Sequence, residues 1–191
     1  QLWRQGANAG RMPPDSEIAA TLARIGWRKV RRQPGSIFLP EQGTSITLGG
    51  IGKEYAADRL AALAVDQGIG NILVNLGRDL RMEGEPPEKG AWRLGLERPD
   101  KPGRCWASVA IGSGALCCSG NYLRYVEIGG TRHGHIIDPR TGRPATARVG
   151  AAWAVAPSCT EAGIVSTAAV VLGAEAGLRL MELTPQAEEC I

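Results

Sequence analysis

The chain has 191 residues, of which 43% are hydrophobic, and its 22 basic and 19 acidic residues leave a formal net charge of +3. This length and apolar content suit a single globular domain, and the dispersed basic residues argue against a nucleic-acid-binding protein. No apolar run approaches the roughly eighteen residues of a membrane-spanning helix, and the five cysteines have neither metal-ligand spacing nor the pattern of a disulfide framework.

The N-terminal part of the chain contains one clear helix signal and one predicted pair of strands. The sequence Pro-Pro-Asp-Ser at residues 13–16 opens a helix whose apolar residues recur at helical spacing until Gly26. Residues 37–39 and 45–48, on either side of a glycine-containing turn, are predicted to pair as strands. The helix is interpreted as structural.

A glycine-rich turn with the sequence Thr-Leu-Gly-Gly-Ile-Gly-Lys, at residues 47–53, leads into a helix that is predicted to end near Gln67, before Gly68. Such a turn presents backbone N–H groups at the positive end of a helix, which suits a phosphate group. Tight packing of the glycines is the ordinary alternative, and the Gly-Lys-Ser/Thr arrangement of a P-loop is absent. The turn alone leaves both readings open.

The middle of the chain is predicted to be a series of strands. An apolar strand at residues 69–76 ends in the sequence Asn-Leu-Gly-Arg-Asp, whose polar residues are also typical of an ordinary turn. Residues 92–97 and 106–111 alternate as the two strands of an antiparallel hairpin. In the segment that follows, at residues 116–122, the adjacent cysteines are interpreted as buried filler rather than as a redox pair.

Both histidines of the sequence stand beside a well-specified turn, His-Gly-His-Ile-Ile-Asp-Pro-Arg-Thr-Gly-Arg-Pro, at residues 133–144. Asp138 can accept a hydrogen bond from the backbone two residues on, and Gly142 can take a positive φ. Residues 136–137 are predicted to form a short buried strand, which would hold His135 at a fixed position near the turn. On these residues alone, a hairpin turn with a histidine satisfied in the core is the alternative.

The C-terminal part is predicted to contain a strand at residues 151–156 and a long helix that begins at Ser158. Ser158 and Glu161 have the spacing of a capping box. Gly163 and Thr167 fall on one face of this helix, whereas Glu161 lies about 200° around the axis from Gly163. The Thr167 hydroxyl could also bond to the carbonyl of Gly163.

Five of these segments resemble, in the same order, the motifs of the ApbE-type flavin transferases. The histidine turn resembles H-I-I-D-P-x-T-G-x-P, and the other segments resemble D-L-G-G-I-A-K-G-Y-A, V-N-L-G-G-D, A-T-S-G-x-Y and A-D-A-L-A-T-A. The likeness runs from about Leu2 to the C-terminus, and an unrelated α+β domain is ranked far behind it. It implies a mixed α+β fold, with antiparallel strands and hairpins packed against helices. It also implies one domain over residues 1–191, without the N-terminal part with which chains of this family usually begin.

The resemblance implies an FAD:protein FMN transferase. Such an enzyme cleaves FAD, attaches FMN by a phosphoester bond to a threonine of a partner flavoprotein, and releases AMP. The resemblance also implies Mg²⁺, and a periplasmic location or association with the periplasmic face of a membrane, although the chain shows no export signal. His135 is the candidate catalytic base, because an imidazole titrates near neutral pH.

The motif positions imply three roles for individual residues. His135 is expected to be catalytic. Cofactor binding is expected at Thr47, Gly49, Gly50, Lys53, Asn75, Gly77, Asp79, Ser119, Gly120, His135, Ile137 and Asp138. Metal binding is expected at Gly50, through its carbonyl, and at Thr167. The flavin cleft is expected between the turns that carry Gly49, Ser119 and His135.

Four positions that the motifs place around the ligand depart from the family pattern: Thr47, Arg78, Cys118 and Gly163. Thr47 and Gly163 stand where the motifs have a carboxylate, so Mg²⁺ binding is expected to be weak or absent. Arg78 replaces a glycine, which is awkward if the backbone needs a positive φ, and its charge could take over part of the role of the metal near the pyrophosphate. A non-catalytic ApbE-like protein that binds flavin or a partner is therefore the alternative to an active transferase. The substitution Gly163→Asp is expected to separate the two hypotheses through a gain in transfer activity.

Overall fold

The computed structural model describes residues 1–146 and 149–184. Contacts along the chain group these residues into two compact units, Gln1–Thr47 with Leu123–Thr146, and Leu48–Tyr122 with residues 149–184. We call them unit 1 and unit 2. None of the helices in the described ranges is long and apolar enough to cross a membrane.

Helices and antiparallel strands follow one another along the chain. In order they are α1 (Leu2–Asn8), α2 (Asp15–Arg24), β1 (Arg31–Gln33), β2 (Ser36–Phe38), α3 (Gly52–Asp66), β3 (Ile72–Leu76), β4 (Asp79–Glu83), β5 (Trp92–Arg98), β6 (Lys101–Ile111), β7 (Gly114–Gly120), β8 (Tyr125–Ile128), β9 (Thr131–Gly134), β10 (Ile137–Asp138), β11 (Arg143–Pro144), β12 (Ala151–Ala156), α4 (Cys159–Leu172) and α5 (Ala174–Glu182). The strands pair as antiparallel neighbours, in agreement with the predicted mixed α+β class.

Unit 1 contains α1, α2 and three hairpins, β1–β2, β8–β9 and β10–β11. Trp3, Ile18 and Ile128 are buried together and form its small core. Helix α2 begins at Asp15 and stops just before Gly26, whose φ of +137° is accessible mainly to glycine. The predicted helix is therefore confirmed.

The prediction that residues 37–39 pair with residues 45–48 was right for the first strand and wrong for its partner. Strand β2 pairs with β1, which precedes it, and residues 45–48 do not form a strand. Pro34 and Gly35, with a φ of +75° at Gly35, make the two-residue turn between β1 and β2. A Pro-Gly pair is a strong turn signal, and it brings the nearest preceding residues into register with β2.

Unit 2 is organised around a four-stranded sheet in the order β12-β7-β4-β3. Helix α3 packs on β3 and β4, α4 packs on β7 and β12, and the two helices contact each other. The β5–β6 hairpin completes the hydrophobic core, whose buried members are Met82, Leu94, Leu96, Ile111, Leu116, Trp153 and Val155. Burial of these side chains is the main contribution to the stability of this unit.

Capping signals explain where the two long helices of unit 2 begin and end. Helix α3 ends at Asp66 and is followed by Gly68 with a φ of +84°. Helix α4 begins after Ser158, whose side chain accepts the N–H of Glu161, the first hydrogen bond of the predicted capping box. The Glu161 carboxylate accepts from the Ser158 hydroxyl at 2.8 Å. Ser119 was expected in a turn, but it lies in β7 opposite Ala152, because β12 extends the pairing to the end of that strand.

Candidate functional site

The predicted site residues are divided between the two units. Unit 2 holds Gly49, Gly50, Lys53, Asn75, Gly77, Asp79, Ser119, Gly120 and Thr167, whereas unit 1 holds Thr47, His135, Ile137 and Asp138. The expectation that one cleft joins the turns of Gly49, Ser119 and His135 spans both units and stays a prediction.

In unit 2, the glycine-rich segment and the β3–β4 turn meet through an ion pair. Lys53, in the first turn of α3, binds the carboxylate of Asp79 at the start of β4. The Asp79 side chain is 4% exposed and the Lys53 side chain is 44% exposed. A buried carboxylate thus anchors a lysine whose ammonium group still reaches solvent. That group can present its remaining donors to a phosphate.

The β3–β4 turn confirms that position 78 needs an unusual backbone. Gly77 and Arg78 have φ angles of +64° and +82°, the positive values that a two-residue hairpin of type I′ requires at both central residues. The side chain of Asn75 supports the turn by accepting the Arg78 N–H at 3.2 Å. An arginine in this conformation is strained by about 1 kcal/mol relative to glycine.

The Arg78 guanidinium already has partners. It donates to the Tyr122 hydroxyl at 2.5 Å and lies 2.6 Å from the carboxylate of Glu97. The N–H of Gly103, at 2.7 Å, and then the charge of Arg78 hold the pKa of Glu97 below its ordinary value. Because Glu97 matches the charge of Arg78, the hypothesis that this arginine replaces a metal at a pyrophosphate loses its main physical support.

Three hydroxyl groups join β7 to α4. The Ser119 hydroxyl lies 2.8 Å from that of Thr167 and 2.9 Å from that of Ser166. Ser166 bonds to the carbonyl of Gly163 at 3.2 Å, so the back-bond that was considered for Thr167 is observed at its neighbour. A residue expected to bind cofactor and one expected to bind metal are therefore in direct contact.

The residues on either side of Ser119 have structural roles. Burial is the main cause that raises the pKa of the Cys118 thiol to about 12, and this side chain packs against the core, as expected of filler. A Cβ on Gly120 would lie 2.8 Å from the carbonyl oxygen of Gly150, so only glycine fits there. Backbone crowding therefore explains Gly120 without a ligand.

Helices α3 and α4 are fixed together by Asp58, which the sequence analysis did not single out. Its carboxylate accepts the N–H groups of Cys159 and Thr160 at 2.8 and 2.9 Å and the Thr160 hydroxyl at 2.7 Å. An anion at the N-terminus of a helix is stabilised by the helix dipole and by these N–H groups, which have no acceptor within the helix. Asp58 therefore acts as a second cap of α4, supplied from α3.

One helical turn before Asp58, a buried carboxylate faces Gly163. Glu54 is 7% exposed, and its Oε2 is buried without a hydrogen-bond partner among the described residues. A Cβ built on Gly163 would lie 2.7 Å from Cγ and 3.3 Å from Oε1 of Glu54. The Glu54 side chain therefore fills the space that any side chain at position 163 would need.

In unit 1, His135 is held by the main chain of Arg124. The backbone N–H of His135 donates to the Arg124 carbonyl at 3.2 Å, and its Nδ1 lies 3.1 Å from the same oxygen. Because a carbonyl can only accept, Nδ1 carries the proton of the neutral ring, and Nε2 keeps the lone pair of a base. His135 is exposed, so the alternative of a core histidine does not describe it.

The turn after His135 has the predicted hydrogen bonds. Asp138 accepts the Arg140 N–H at 2.8 Å, and Gly142 has a φ of +68°. The guanidinium of Arg140 also binds both carboxylate oxygens of Asp138, and this is the main cause that lowers the pKa of Asp138. Ile137 is 36% exposed, so the expected buried strand was wrong at this residue. Strand alternation turns Asp138 inward instead, where Arg140 satisfies its charge.

His135 should titrate below the ordinary imidazole value. Although its side chain reaches the surface, surrounding protein atoms desolvate part of the ring, and this lowers its pKa. Folding then favours the neutral imidazole. As pH falls below about 6.5, the unfolded chain binds more protons at this residue than the folded chain does. We expect this residue to make stability decrease with falling pH between 6.5 and its own midpoint. An NMR titration of the imidazole carbons should show the low midpoint. In His135→Asn, the free energy of unfolding should depend less on pH in this range. A midpoint at or above 6.5 would contradict the expectation.

The chain matches the ApbE family over residues 1–191. It belongs to the ApbE family. It is 37% identical to the FAD:protein FMN transferase of Escherichia coli (strain K12), over 91% of this chain and 52% of the relative. It is 36% identical to the protein of that name from Klebsiella pneumoniae (strain 342), over 85% of this chain and 48% of the relative.

Solved structures of ApbE proteins confirm the fold. The ApbE protein of Thermotoga maritima matches with a TM-score of 0.82 at 31% identity, over 92% of this chain and 57% of that one. The flavin transferase ApbE of Vibrio cholerae matches with a TM-score of 0.76 at 29% identity, over 91% and 55% of the two chains. The predicted ApbE-like α+β fold is therefore confirmed, and the chain spans about half the length of the relatives it matches.

The ApbE motifs contained a signal for Glu54 that was not used. In D-L-G-G-I-A-K-G-Y-A, glycine occupies the position of Glu54, and in A-D-A-L-A-T-A, aspartate occupies the position of Gly163. Taken separately, Glu54 adds a carboxylate to the motif and Gly163 removes one. The structure shows that the two positions face each other, so the departures form a pair.

The oxygen atoms of this ApbE site fit a hard cation better than a soft one. Within the described ranges, no group of three or more His, Cys, Asp or Glu residues is placed to hold a metal ion. The Glu54 carboxylate oxygen, which has no hydrogen-bond partner in the described part of the chain, and the hydroxyl of Thr167 are ligands of the kind that Mg²⁺ prefers. Mg²⁺ commonly binds few protein atoms and completes its shell with phosphate and water. Gly50, whose carbonyl was expected to contribute, lies in the turn before α3.

Proposed function

We propose that this chain carries the activity of an FAD:protein FMN transferase. The substrates are FAD and a threonine on a partner flavoprotein, and the products are the phosphoester-linked FMN protein and AMP. The observation that supports this best is the convergence of four motif segments in unit 2. Lys53 binds Asp79, Glu54 faces Gly163, and Ser119 bonds to Thr167. The names of its ApbE relatives agree with the proposal.

The reaction is a phosphoryl transfer whose needs match these residues. The threonine oxygen attacks the phosphorus on the FMN side of the pyrophosphate, and the bond from that phosphorus to the bridging oxygen breaks. AMP leaves with that oxygen. His135 is the proposed base that takes the hydroxyl proton, through the lone pair on Nε2. Lys53 is the proposed phosphate contact, because its ammonium group reaches solvent next to the turn of Gly77.

Mg²⁺ is part of the proposal. When bound, it would neutralise charge that develops on the phosphate oxygens. Glu54, Thr167 and the carbonyl of Gly50 are the protein atoms proposed to hold it. We also propose that the reaction takes place on the periplasmic side of a bacterial membrane, on the basis of the family resemblance.

The direct test is transfer to a peptide. Purified protein should bind FAD, and incubation with Mg²⁺ and a threonine-containing acceptor peptide should add the mass of one FMN and release one AMP. The same peptide with valine in place of threonine is the control and should gain no mass. His135→Asn should lose transfer even at FAD concentrations that saturate the variant, because His135 is expected to act as the base as well as to contact the cofactor. FAD binding without any transfer would favour the non-catalytic flavin-binding protein. The absence of FAD binding would reject the transferase and leave only the partner-binding form of the alternative.

A further inference from the structure

We propose that Glu54 supplies the carboxylate of the cation site in this chain, from α3, in place of the aspartate that the family motif carries on α4 at position 163. The proposal rests on the proposed function for the identity of the substrate, because the cation would act on FAD. The binding of the cation itself can be measured independently of transfer.

The Glu54 carboxylate has one oxygen that lacks a protein partner in the described part of the chain. Its Oε2 is buried and has no hydrogen-bond partner in the described ranges. A buried carboxylate oxygen without a partner is costly, so such groups in proteins bind a cation, a donor or a metal. The adjacent Lys53 is bound to Asp79, and Asp58 is occupied by the N-terminus of α4. A bound cation would supply the partner that this oxygen lacks among the described residues.

The Glu54 carboxylate lies against Gly163 because two helices are fixed side by side. The contacts of Asp58 with Cys159 and Thr160 fix α3 against α4, and Glu54 lies one turn before Asp58 while Gly163 lies one turn after Cys159. Because α3 and α4 run in opposite directions at this contact, Glu54 lies next to Gly163. The Glu54 carboxyl carbon is 3.3 Å from the position of a Cβ on Gly163. Its carboxylate therefore occupies the region that a short acidic side chain at position 163 would reach.

The cation site would also include Thr167. On a helix, side chains four residues apart are neighbours, with about 5–6 Å between their Cβ atoms. Thr167 is one turn beyond Gly163, and its hydroxyl is oriented by Ser119 at 2.8 Å. The carboxylate of Glu54, from α3, and the hydroxyl of Thr167, from α4, therefore both lie at the α4 face that carries Gly163. Asp58 holds the two helices in this register. This proposal reverses the expectation that Gly163 makes Mg²⁺ binding weak or absent.

The test is a titration with Mn²⁺ and Mg²⁺ by calorimetry, carried out with and without saturating FAD. Glu54→Gln keeps the size of the side chain and removes its charge, and we expect at least about a tenfold loss of cation affinity. Glu161→Gln is the matched control, because it removes a carboxylate that caps the same helix, and it should leave the affinity unchanged.

Thermal unfolding gives a second readout that a merely structural role would not produce. In EDTA, Glu54→Gln should be at least as stable as the wild type, because the amide removes a buried charge. On addition of Mg²⁺, the melting temperature of the wild type should rise, and that of Glu54→Gln should not. A variant that unfolds at a lower temperature in EDTA, and still gains stability from Mg²⁺, would overturn the proposal.

The outcomes for Glu54 and for the proposed function are distinguishable. Equal cation affinity in wild type and Glu54→Gln overturns the Glu54 assignment, even if FMN transfer occurs. Loss of affinity in Glu54→Gln together with no FMN transfer by the wild type supports the Glu54 assignment and rejects the transferase. A wild type that binds neither cation, with or without FAD, overturns the assignment directly.

Discussion

Lys53→Met should lower the free energy of unfolding by about 2–3 kcal/mol. The substitution keeps the apolar length of the side chain and leaves the Asp79 carboxylate, which is 4% exposed, without its cation. Breaking a buried ion pair on one side costs about 3–5 kcal/mol, and we expect less here because the Lys53 side chain is 44% exposed and solvent screens the pair. Urea unfolding followed by tryptophan fluorescence gives the value.

The double variant separates charge from packing. Asp79→Asn removes the charge that Lys53→Met leaves unpaired, so the two substitutions together should destabilise the protein less than the sum of the single effects. FAD affinity should fall in both variants that lack Lys53, because the proposed phosphate contact is lost. A Lys53→Met protein within about 0.5 kcal/mol of the wild type would show that Asp79 is satisfied by other groups.

The parts of this protein that could be predicted from the sequence depend on short-range signals. The capping box of Ser158 and Glu161 lies within one helical turn, and the Asp138 turn is complete within five residues. In each of these signals the hydrogen-bond donor and acceptor lie within the same short segment, so the sequence of that segment is enough to predict the bond. The Pro34-Gly35 turn is a signal of the same kind that was not used, and the strand pair of unit 1 was misassigned as a result.

The parts that could not be predicted join residues far apart in the chain. Asp58 and Cys159 are 101 positions apart, and Ser119 and Thr167 are 48 positions apart. Periodicity shows which face of a helix is apolar, but it does not show which residue of another helix meets that face. Gly163 was therefore read as a lost carboxylate, since its neighbour in space was unknown.

Gly163→Asp should destabilise the protein by about 3 kcal/mol and should not raise transfer activity by itself. Its Cβ would lie 2.7 Å from Cγ of Glu54, well inside the 3.5–4.0 Å at which carbon atoms make favourable contact. Overpacking of a filled site costs about 1–3 kcal/mol, and two carboxylates in one buried place repel each other in addition. The expected gain of activity, which assumed an empty position, is thus replaced by an expected loss of stability. Urea unfolding measures it.

The double variant Glu54→Gly with Gly163→Asp should recover most of the stability that Gly163→Asp loses, because it places the single carboxylate on α4 and removes the side chain from α3 that fills the space. We expect the double variant to be within about 1 kcal/mol of the wild type, since a glycine is removed from one helix and introduced into another. Gly163→Ala adds the Cβ without the charge, so its cost measures the steric part alone. Strong coupling between positions 54 and 163, with cation binding recovered in the double variant, would mean that the carboxylate can come from either helix. A stable Gly163→Asp protein that keeps Glu54 would mean instead that the two side chains fit side by side and that the two departures are independent.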